Sequence, residues 1–429
     1  MTLTRLLISE IGYLGSRLSA ARLVSIVSVP LIALLYGPGP FGVFAAYVAV
    51  VNIFWALMFG RLELAIVPSG DESEASAITM AALALGVLTV IGAALATWVA
   101  ARYGFVSFPT DQSLAMFLLL PLSLVGRGVF RLSMAWAARC GEFDILANAT
   151  ISQAVVQLSV QAALAFAPLD PIAALAMGDV AGNAAAAVVS LRAAPELRRL
   201  LRADHRPRMS QIGNAVGHWK QLPLYSLPSA MMAIIATNLP FIALPALAEP
   251  VMAGRIALAL RLLDVPGQIV ATAATPILEH RLAAAETGTR ARLLLQGTSI
   301  VLVMTAGAML ALVGCGILIE PWLVGTHWHG IGTALPLVLA FSLGIAVGGP
   351  LINLTAVLRE EWAVLPVHAV FLAIMWLLAS AGASAVATMI AFGAASLLRA
   401  GILLVVLVWR GIARLPSNSE RQMAPGHDL

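Results

Sequence analysis

Charge is scarce in this chain. Only 11% of its 429 residues are Asp, Glu, Lys or Arg, where soluble globular domains carry about 25%. With 60% hydrophobic residues and a mean hydropathy of +0.94, this excludes a soluble protein and identifies a polytopic membrane protein. No polar stretch is long enough for a second, soluble domain. Lysine is nearly missing: Lys220 is the single lysine among 25 basic residues. Cysteine is as rare, and Cys140 and Cys315 fall near opposite membrane faces in the topology below, so no disulfide framework is expected. Catalytic patterns are missing too: there is no P-loop, no HExxH, no metal-spaced Cys/His set and no nucleophile elbow. His327 and His329 share a loop but lack a third ligand. No metal, no cofactor, no nucleic-acid partner and no enzymatic activity are expected. The N-terminal apolar run is too long, and lacks the cleavage site, for a cleavable signal.

What is present is a series of long apolar runs. Between Gly15 and Val67 two of them meet at Gly37-Pro38-Gly39-Pro40, each about 24 residues long, enough to cross a hydrocarbon core of roughly 30 Å. About twelve spans follow, at roughly 12–36, 41–65, 79–101, 113–137, 146–167, 172–192, 223–246, 252–276, 293–318, 332–356, 364–381 and 385–409. The first hairpin is echoed at the start of the second half. Pro40-Phe41-Gly42-Val43-Phe44-Ala45 and Pro250-Val251-Met252-Ala253-Gly254-Arg255-Ile256-Ala257 share a Pro-marked turn followed by Gly, one residue, a large apolar residue and Ala. Such an internal repeat is a feature of transporter folds.

The basic residues sort by side. Arg192, Arg198, Arg199, Arg202, Arg206, Arg208 and Lys220 lie in one connection, Arg281, Arg290 and Arg292 in another, and Arg410, Arg414 and Arg421 in the tail. By the positive-inside rule these are cytoplasmic, as are both termini. The organisation expected is an N-terminal six-helix lobe over 1–192, a cytoplasmic linker over 193–220, a C-terminal six-helix lobe over 221–409 and a tail over 410–429. The 195–202 stretch, PELRRLLR, has the pattern of an amphipathic surface helix or of a solvated basic linker. Trp98, Trp136, Trp219, Trp322, Trp328, Trp362 and Trp409 fall near span ends and read as an aromatic belt.

Ionisable residues inside spans are unfavourable by about 2.5–3.5 kcal/mol each, so they face a bundle interior or a wet cavity. Arg17 and Arg22 lie in span 1, with Arg17 also within reach of the headgroups. Ser123, Arg127 and Arg131 recur every four residues and share one face of span 4. Gln153, Gln157 and Gln161 repeat the spacing in span 5, where they either bond neighbouring helices or line a hydrophilic cavity. Asp179 and Asn183 share a face of span 6. Span 8 holds Arg255, Arg261 and Asp264, the last two spaced for a local ion pair, with Pro266 expected to loosen the helix. Arg399 stands alone in span 12. The buried charge is therefore biased positive, a lining that attracts anions, and Arg suits phosphate through forked hydrogen bonds.

The run Gly15-Ser16-Arg17-Leu18, then Pro40-Phe41-Gly42-Val43-Phe44-Ala45, Gly60-Arg61-Leu62-Glu63-Leu64-Ala65-Ile66, the acidic loop Asp71-Glu72-Ser73-Glu74, and in the second half Leu222-Pro223-Leu224-Tyr225-Ser226-Leu227-Pro228 and Ala253-Gly254-Arg255-Ile256 together resemble the polysaccharide-transport family, the Wzx-type O-antigen flippases of the multidrug/oligosaccharidyl-lipid/polysaccharide exporter superfamily. The resemblance covers most of residues 10–300. It implies an all-α polytopic membrane protein of about twelve transmembrane helices in two six-helix lobes arranged as a V. It implies movement of an undecaprenyl-pyrophosphate-linked oligosaccharide across the bacterial inner membrane for O-antigen, capsule or exopolysaccharide synthesis. Partners so implied are the lipid-linked glycan, membrane lipids, and a polysaccharide polymerase with its chain-length regulator.

On this reading Arg17, Arg22, Arg127, Arg131, Arg261 and Arg399 are the candidates for the pyrophosphate. Gln153, Gln157, Gln161 and Asn238 are candidates for the sugars, and Asp179 and Asp264 for ion coupling. Span 7 departs from a charged lumen: it has no charge, only Asn238 and four prolines. A drug extruder of the same superfamily would place acids where this chain places arginines. A polymerase or ligase would need a large external loop, and the longest here, near Glu320–Ile331, has about a dozen residues. A scaffold subunit of the assembly machinery remains an alternative that mutation of the lumen arginines separates.

Overall fold

A computed structural model describes residues 28–103, 110–140, 143–192, 197, 199, 207–284, 287–358 and 361–413. The fold is all-α, and no strand occurs among the described residues. Helix α1, described over 28–36, turns at Gly37 into α2 (Pro38–Leu57). Then come α3 (Glu72–Tyr103), α4 (Thr110–Cys140), α5 (Phe143–Leu164) and α6 (Pro171–Arg192). A short surface helix, α7 (Met209–His218), leads through a π-helical turn at Leu222–Ser226 into α8 (Leu227–Leu247). The second bundle continues with α9 (Pro250–Ala284), α10 (Thr287–Ile319), α11 (Ile331–Leu358), α12 (Glu361–Ser380) and α13 (Ala385–Ala413). Among the described residues nine helices are long and apolar enough to cross a membrane: α2, α3, α4, α6, α8, α10, α11, α12 and α13. The two remaining long helices, α5 with 22 residues and α9 with 35, are those interrupted by the glutamine series and by Arg255, Arg261 and Asp264.

The helices pack as two bundles. α3 and α5 lie against α4 and α6 on one side; α9, α10, α12 and α13 gather around α11 and α8 on the other. The seam between them is α2, which packs on α4 and α6 and also on α8 and α9. Its side chains divide accordingly. Phe41 belongs to the core built from Leu239, Ile256, Leu260 and Phe392, whereas Phe44, Tyr47 and Val51, spaced to share a face, join Leu124, Leu175 and Ala176. The contact is closest at the echoed motif. A Cβ on Gly42 would lie 3.0 Å from Gly254, and one on Gly254 would lie 1.8 Å from the Pro38 carbonyl oxygen. Small residues let membrane helices approach in this way, where van der Waals contact replaces a hydrophobic driving force.

A loop of the second bundle crosses the same seam near Gly37. Trp328, 4% exposed, donates its indole N–H to the Ala33 carbonyl at 3.0 Å and meets the Phe41 ring edge-on, centroids 6.1 Å apart. Glu320 holds the loop in shape. It accepts from the Gly330 N–H, from the Gly332 N–H at 2.6 Å, and contacts His329 Nδ1 at 2.9 Å. Arg255 donates to the His327 carbonyl at 3.2 Å.

Three expectations change. Span 2 was expected to reach residue 65, but α2 stops at Leu57 because Gly60 (φ 59°) and Arg61 (φ 66°) turn left-handed, a conformation that cannot continue a right-handed helix. A 3-10 turn at Leu62–Ala65 follows. Arg139 caps it, donating to the carbonyls of Ile66 at 2.9 Å and Ser69 at 2.8 Å. Pro266 leaves α9 unbroken from Pro250 to Ala284, since neighbouring helices can support a proline inside a membrane helix. A surface helix forms at α7; of 195–202, the stretch read as a surface helix or a basic linker, only Leu197 and Arg199 are described. Ile212 and Val216 of α7 pack with Trp219 on Phe59, Leu62 and Ile78. Finally, the aromatic belt fits Trp98, Trp322, Trp362 and Trp409, which are exposed, but not Trp136 or Trp328, which are buried. Neither cysteine forms a disulfide.

Because the Pro38 carbonyl rests on Gly254, Gly254→Ala should force the bundles apart at the seam, with a loss of about 1–3 kcal/mol typical of overpacking. Thermal unfolding of purified protein should show a lower midpoint for Gly254→Ala than for Gly307→Ala, a helical position with open space around it.

Candidate functional site at the seam

Beside α2 the polar residues join into one chain of contacts. Arg127 on α4 donates to Asp179 Oδ1 on α6 at 2.9 Å and to Asn52 Oδ1 on α2 at 2.8 Å. Ser123, one turn before Arg127, donates to Asp179 Oδ2 at 2.5 Å. The four-residue spacing on α4 thus grips both oxygens of one carboxylate. Asn52 in turn donates to Asn238 Oδ1 on α8 at 3.3 Å. The sequence Asp179–Arg127–Asn52–Asn238 therefore runs from α6 through α4 and α2 into the second bundle.

Arg261 reaches the same region from α9. Its guanidinium lies over the rings of Phe41 at 5.8 Å and Phe44 at 5.6 Å. Asp179, Arg127 and Asp264 are close enough to act on its charge. Asp264 is exposed and accepts a hydrogen bond from Gln268. The Nε–H groups of Arg127 and Arg261 are both buried without a hydrogen-bond partner among the described residues. Two guanidinium groups, one from each bundle, thus keep donor capacity at the seam. A planar guanidinium with free donors is a receptor for a bidentate anion.

A second pair lies one turn further along α4. Arg131 bonds Glu63 at 2.8 Å and stacks 4.5 Å over Trp55. Glu63, 6% exposed, leaves its Oε2 without a partner among the described residues. The break in α2 at Gly60 and Arg61 is what brings Glu63 back to α4.

The other expected residues separate from this group. Arg17 and Arg22 lie outside the described residues. The glutamine series packs on α6: Gln153 donates to Asn183 Oδ1 at 2.9 Å and Gln161 to the Leu175 carbonyl at 2.9 Å. Gln157 lies against Gly182, where a Cβ would come within 2.7 Å of its own Cβ. Arg399 stands apart, on α13 beside α12. Asn52 and Tyr47 were missed by sequence reasoning. Asn52 carried a legible signal, as the only amide in an apolar span. Tyr47, buried with its hydroxyl unpartnered among the described residues, carried none. Among the described residues no group of three metal-binding side chains occurs.

A family model described as polysaccharide biosynthesis protein matches residues 31–331. The chain belongs to that family. No curated protein matches it. Among solved structures, the lipid II flippase MurJ in an inward closed conformation superposes with a TM-score of 0.65 at 11% identity, covering 90% of this chain and 86% of that one. An inward-facing multidrug resistance MATE family transporter of the MOP superfamily gives 0.63 at 11% identity over 94% and 96%. A point mutant of the Vibrio cholerae MATE transporter VcmN gives 0.55 at 14% identity over 94% and 97%. At these identities the likeness is one of fold, the V-shaped transporter fold of that superfamily. The neighbours are transporters and flippases rather than enzymes.

Arg127 and Asp179 should behave as one energetic unit. Either Arg127→Gln or Asp179→Asn alone breaks a buried pair, a loss of about 3–5 kcal/mol. The double variant should lose clearly less than the sum. Unfolding of the three variants in one detergent measures this; additive losses would show that the two residues are energetically independent.

Proposed function

We propose that this family member is a flippase, which moves an undecaprenyl-pyrophosphate-linked oligosaccharide from the cytoplasmic to the periplasmic leaflet of the inner membrane by alternating access of its two bundles. The observation that carries this reading is the pair of guanidinium groups, Arg127 and Arg261, that reach the seam from opposite bundles with buried donors to spare. A pyrophosphate needs several charge-assisted donors, and here they come from both halves of the fold, so binding the anion links the halves. Arg131, with Arg17 and Arg22 of span 1, extends the cationic lining. Asn238, bonded to Asn52 at the seam, is the candidate contact for the sugars.

Asp179 gives the site a means of control. While it is ionised it occupies part of Arg127. A proton delivered to Asp179 releases that guanidinium for the pyrophosphate, which supplies an ion-coupled cycle without an ATPase motif. Asp264, exposed on α9, is the second candidate for that role. With the basic loops facing the cytoplasm, the Trp328 loop is periplasmic and closes that side. The glycan is an O-antigen, capsule or exopolysaccharide unit, and the polymerase and chain-length regulator act on it after release. A drug extruder is the second reading. It is favoured by the buried carboxylate of Asp179 and opposed by the arginine that covers it.

The test is complementation of a flippase-null strain that carries the cognate glycan pathway. At matched membrane levels the wild type should restore surface glycan, Arg127→Ala should fail, and Arg127→Lys should recover part of the activity. Equal restoration by all three would assign Arg127 a structural role only. Efflux of cationic drugs without glycan export would favour the extruder.

A further inference from the structure

Away from the seam, α12 and α13 leave a cavity of about 220 Å³, whose lining includes Pro366, Val367, Phe371, Ala395, Ile402 and Arg399. Its walls are apolar apart from Arg399. That residue is 3% exposed and lays its guanidinium 4.5 Å from the Phe371 ring. It rests on α11 at Gly348, where a Cβ would come within 2.9 Å of an Arg399 nitrogen. Arg399 has no ion-pair or hydrogen-bond partner among the described residues, and its Nε–H is buried and unsatisfied. From residue 321 to 413 the only acids in the sequence are Glu360 and Glu361, seven or more residues from His368. His368 itself, tied to Ser229 at 2.9 Å, leaves its Nε2 buried without a partner. A buried guanidinium is retained at such a place when an anion visits it.

Depth and access narrow the anion. Within the span Ala385–Trp409, Arg399 lies ten residues, about 15 Å, from one end and fourteen, about 21 Å, from the other. That puts it near the middle of a hydrocarbon layer roughly 30 Å thick. The cavity mouth carries Val370 and Leu398, 58% and 59% exposed, on a surface that meets lipid. The phosphate of a resident phospholipid stays at the interface, half a layer away. Only a lipid whose headgroup is crossing brings a phosphate to this depth.

We propose that the α12–α13 cavity is a second anion site, open to the bilayer, which takes the phosphate end of a long-chain prenyl phosphate in mid-passage while the chain lies along the apolar walls. This rests on the flippase reading for the identity of the lipid, but it is tested by binding alone. The site is separate from Arg127 and adds a path on the lipid side of the second bundle.

The experiment uses the full chain in neutral phosphatidylcholine nanodiscs, and the second site is read as the change in binding that substitution at residue 399 causes. Undecaprenyl phosphate, phosphatidylglycerol and inorganic phosphate are titrated separately, and bound adducts are counted by native mass spectrometry. Undecaprenyl phosphate should bind, Arg399→Gln should weaken it about tenfold or more through loss of a charged hydrogen-bonded contact, and Arg399→Lys should keep part of it. Phosphatidylglycerol and inorganic phosphate should not depend on residue 399. If Arg399→Gln does not fold, Leu398→Trp, which fills the mouth and leaves the charge, should weaken the prenyl phosphate in its place. Unchanged binding of undecaprenyl phosphate in the variants overturns the site. An equal Arg399 dependence for phosphatidylglycerol also overturns it, in favour of ordinary anionic lipid. Failed complementation by the wild type with this binding intact would count against the flippase reading and not against the site.

Discussion

The architecture depends on how closely two helix backbones can meet. Between α2 and α9 the chain has no side chain at Gly42 or Gly254, and the Pro38 carbonyl fills the space that a methyl group at 254 would need. In lipid there is no hydrophobic gain from bringing apolar helices together, so the association relies on dispersion contacts that fall off steeply with distance. Close approach at this point puts Phe41 into the second bundle and Trp328 onto the first, and allows the Asn52–Asn238 contact. It also brings Arg261 over two rings of α2. The polar chemistry of the seam follows from its steric closure.

The polar chain is economical in its use of charge. Asp179 is held by a serine and an arginine one turn apart on α4, so a single helical face supplies two of its donors. Arg127 then gives a further bond to a neutral amide, and the amide passes the connection to the other bundle. A neutral Asn–Asn contact across the interface is easier to break than a buried ion pair. The strong link is therefore inside the first bundle and the weak link lies between the two. That ordering suits the alternating access proposed for the two bundles.

Much of this was legible in the sequence. Long apolar runs with Pro and Gly turns located the helices, and the recurrence of Gly-X-large-Ala after each first turn marked the two segments that touch. The four-residue period placed Ser123, Arg127 and Arg131 on one face. What could not be read was partnership. Nothing in residues 52–63 says that α2 stops at Leu57, because Gly60 and Arg61 can each continue a helix and only the tertiary structure turns them left-handed. The tryptophans carry the same ambiguity: a ring near a span end suits the interface or a neighbouring bundle equally well by composition, and Trp328 takes the second course. The glutamine period was plain, but which helix it would meet depended on the glycines at 178 and 182, twenty residues further along.

The short surface helix α7 bears on how the halves can move. Its apolar face is seated on the first bundle, and Glu74 receives both the His218 ring, at 2.8 Å, and the Trp219 indole, at 3.1 Å. Only two residues separate that anchorage from the π-helical turn that leads into α8. The connection between the halves is therefore a short crank rather than slack rope. A tilt of α3 must be passed on to the root of α8, and the wide turn at Leu222–Ser226, where the helical ladder is already loosened, is where the chain can absorb the angle.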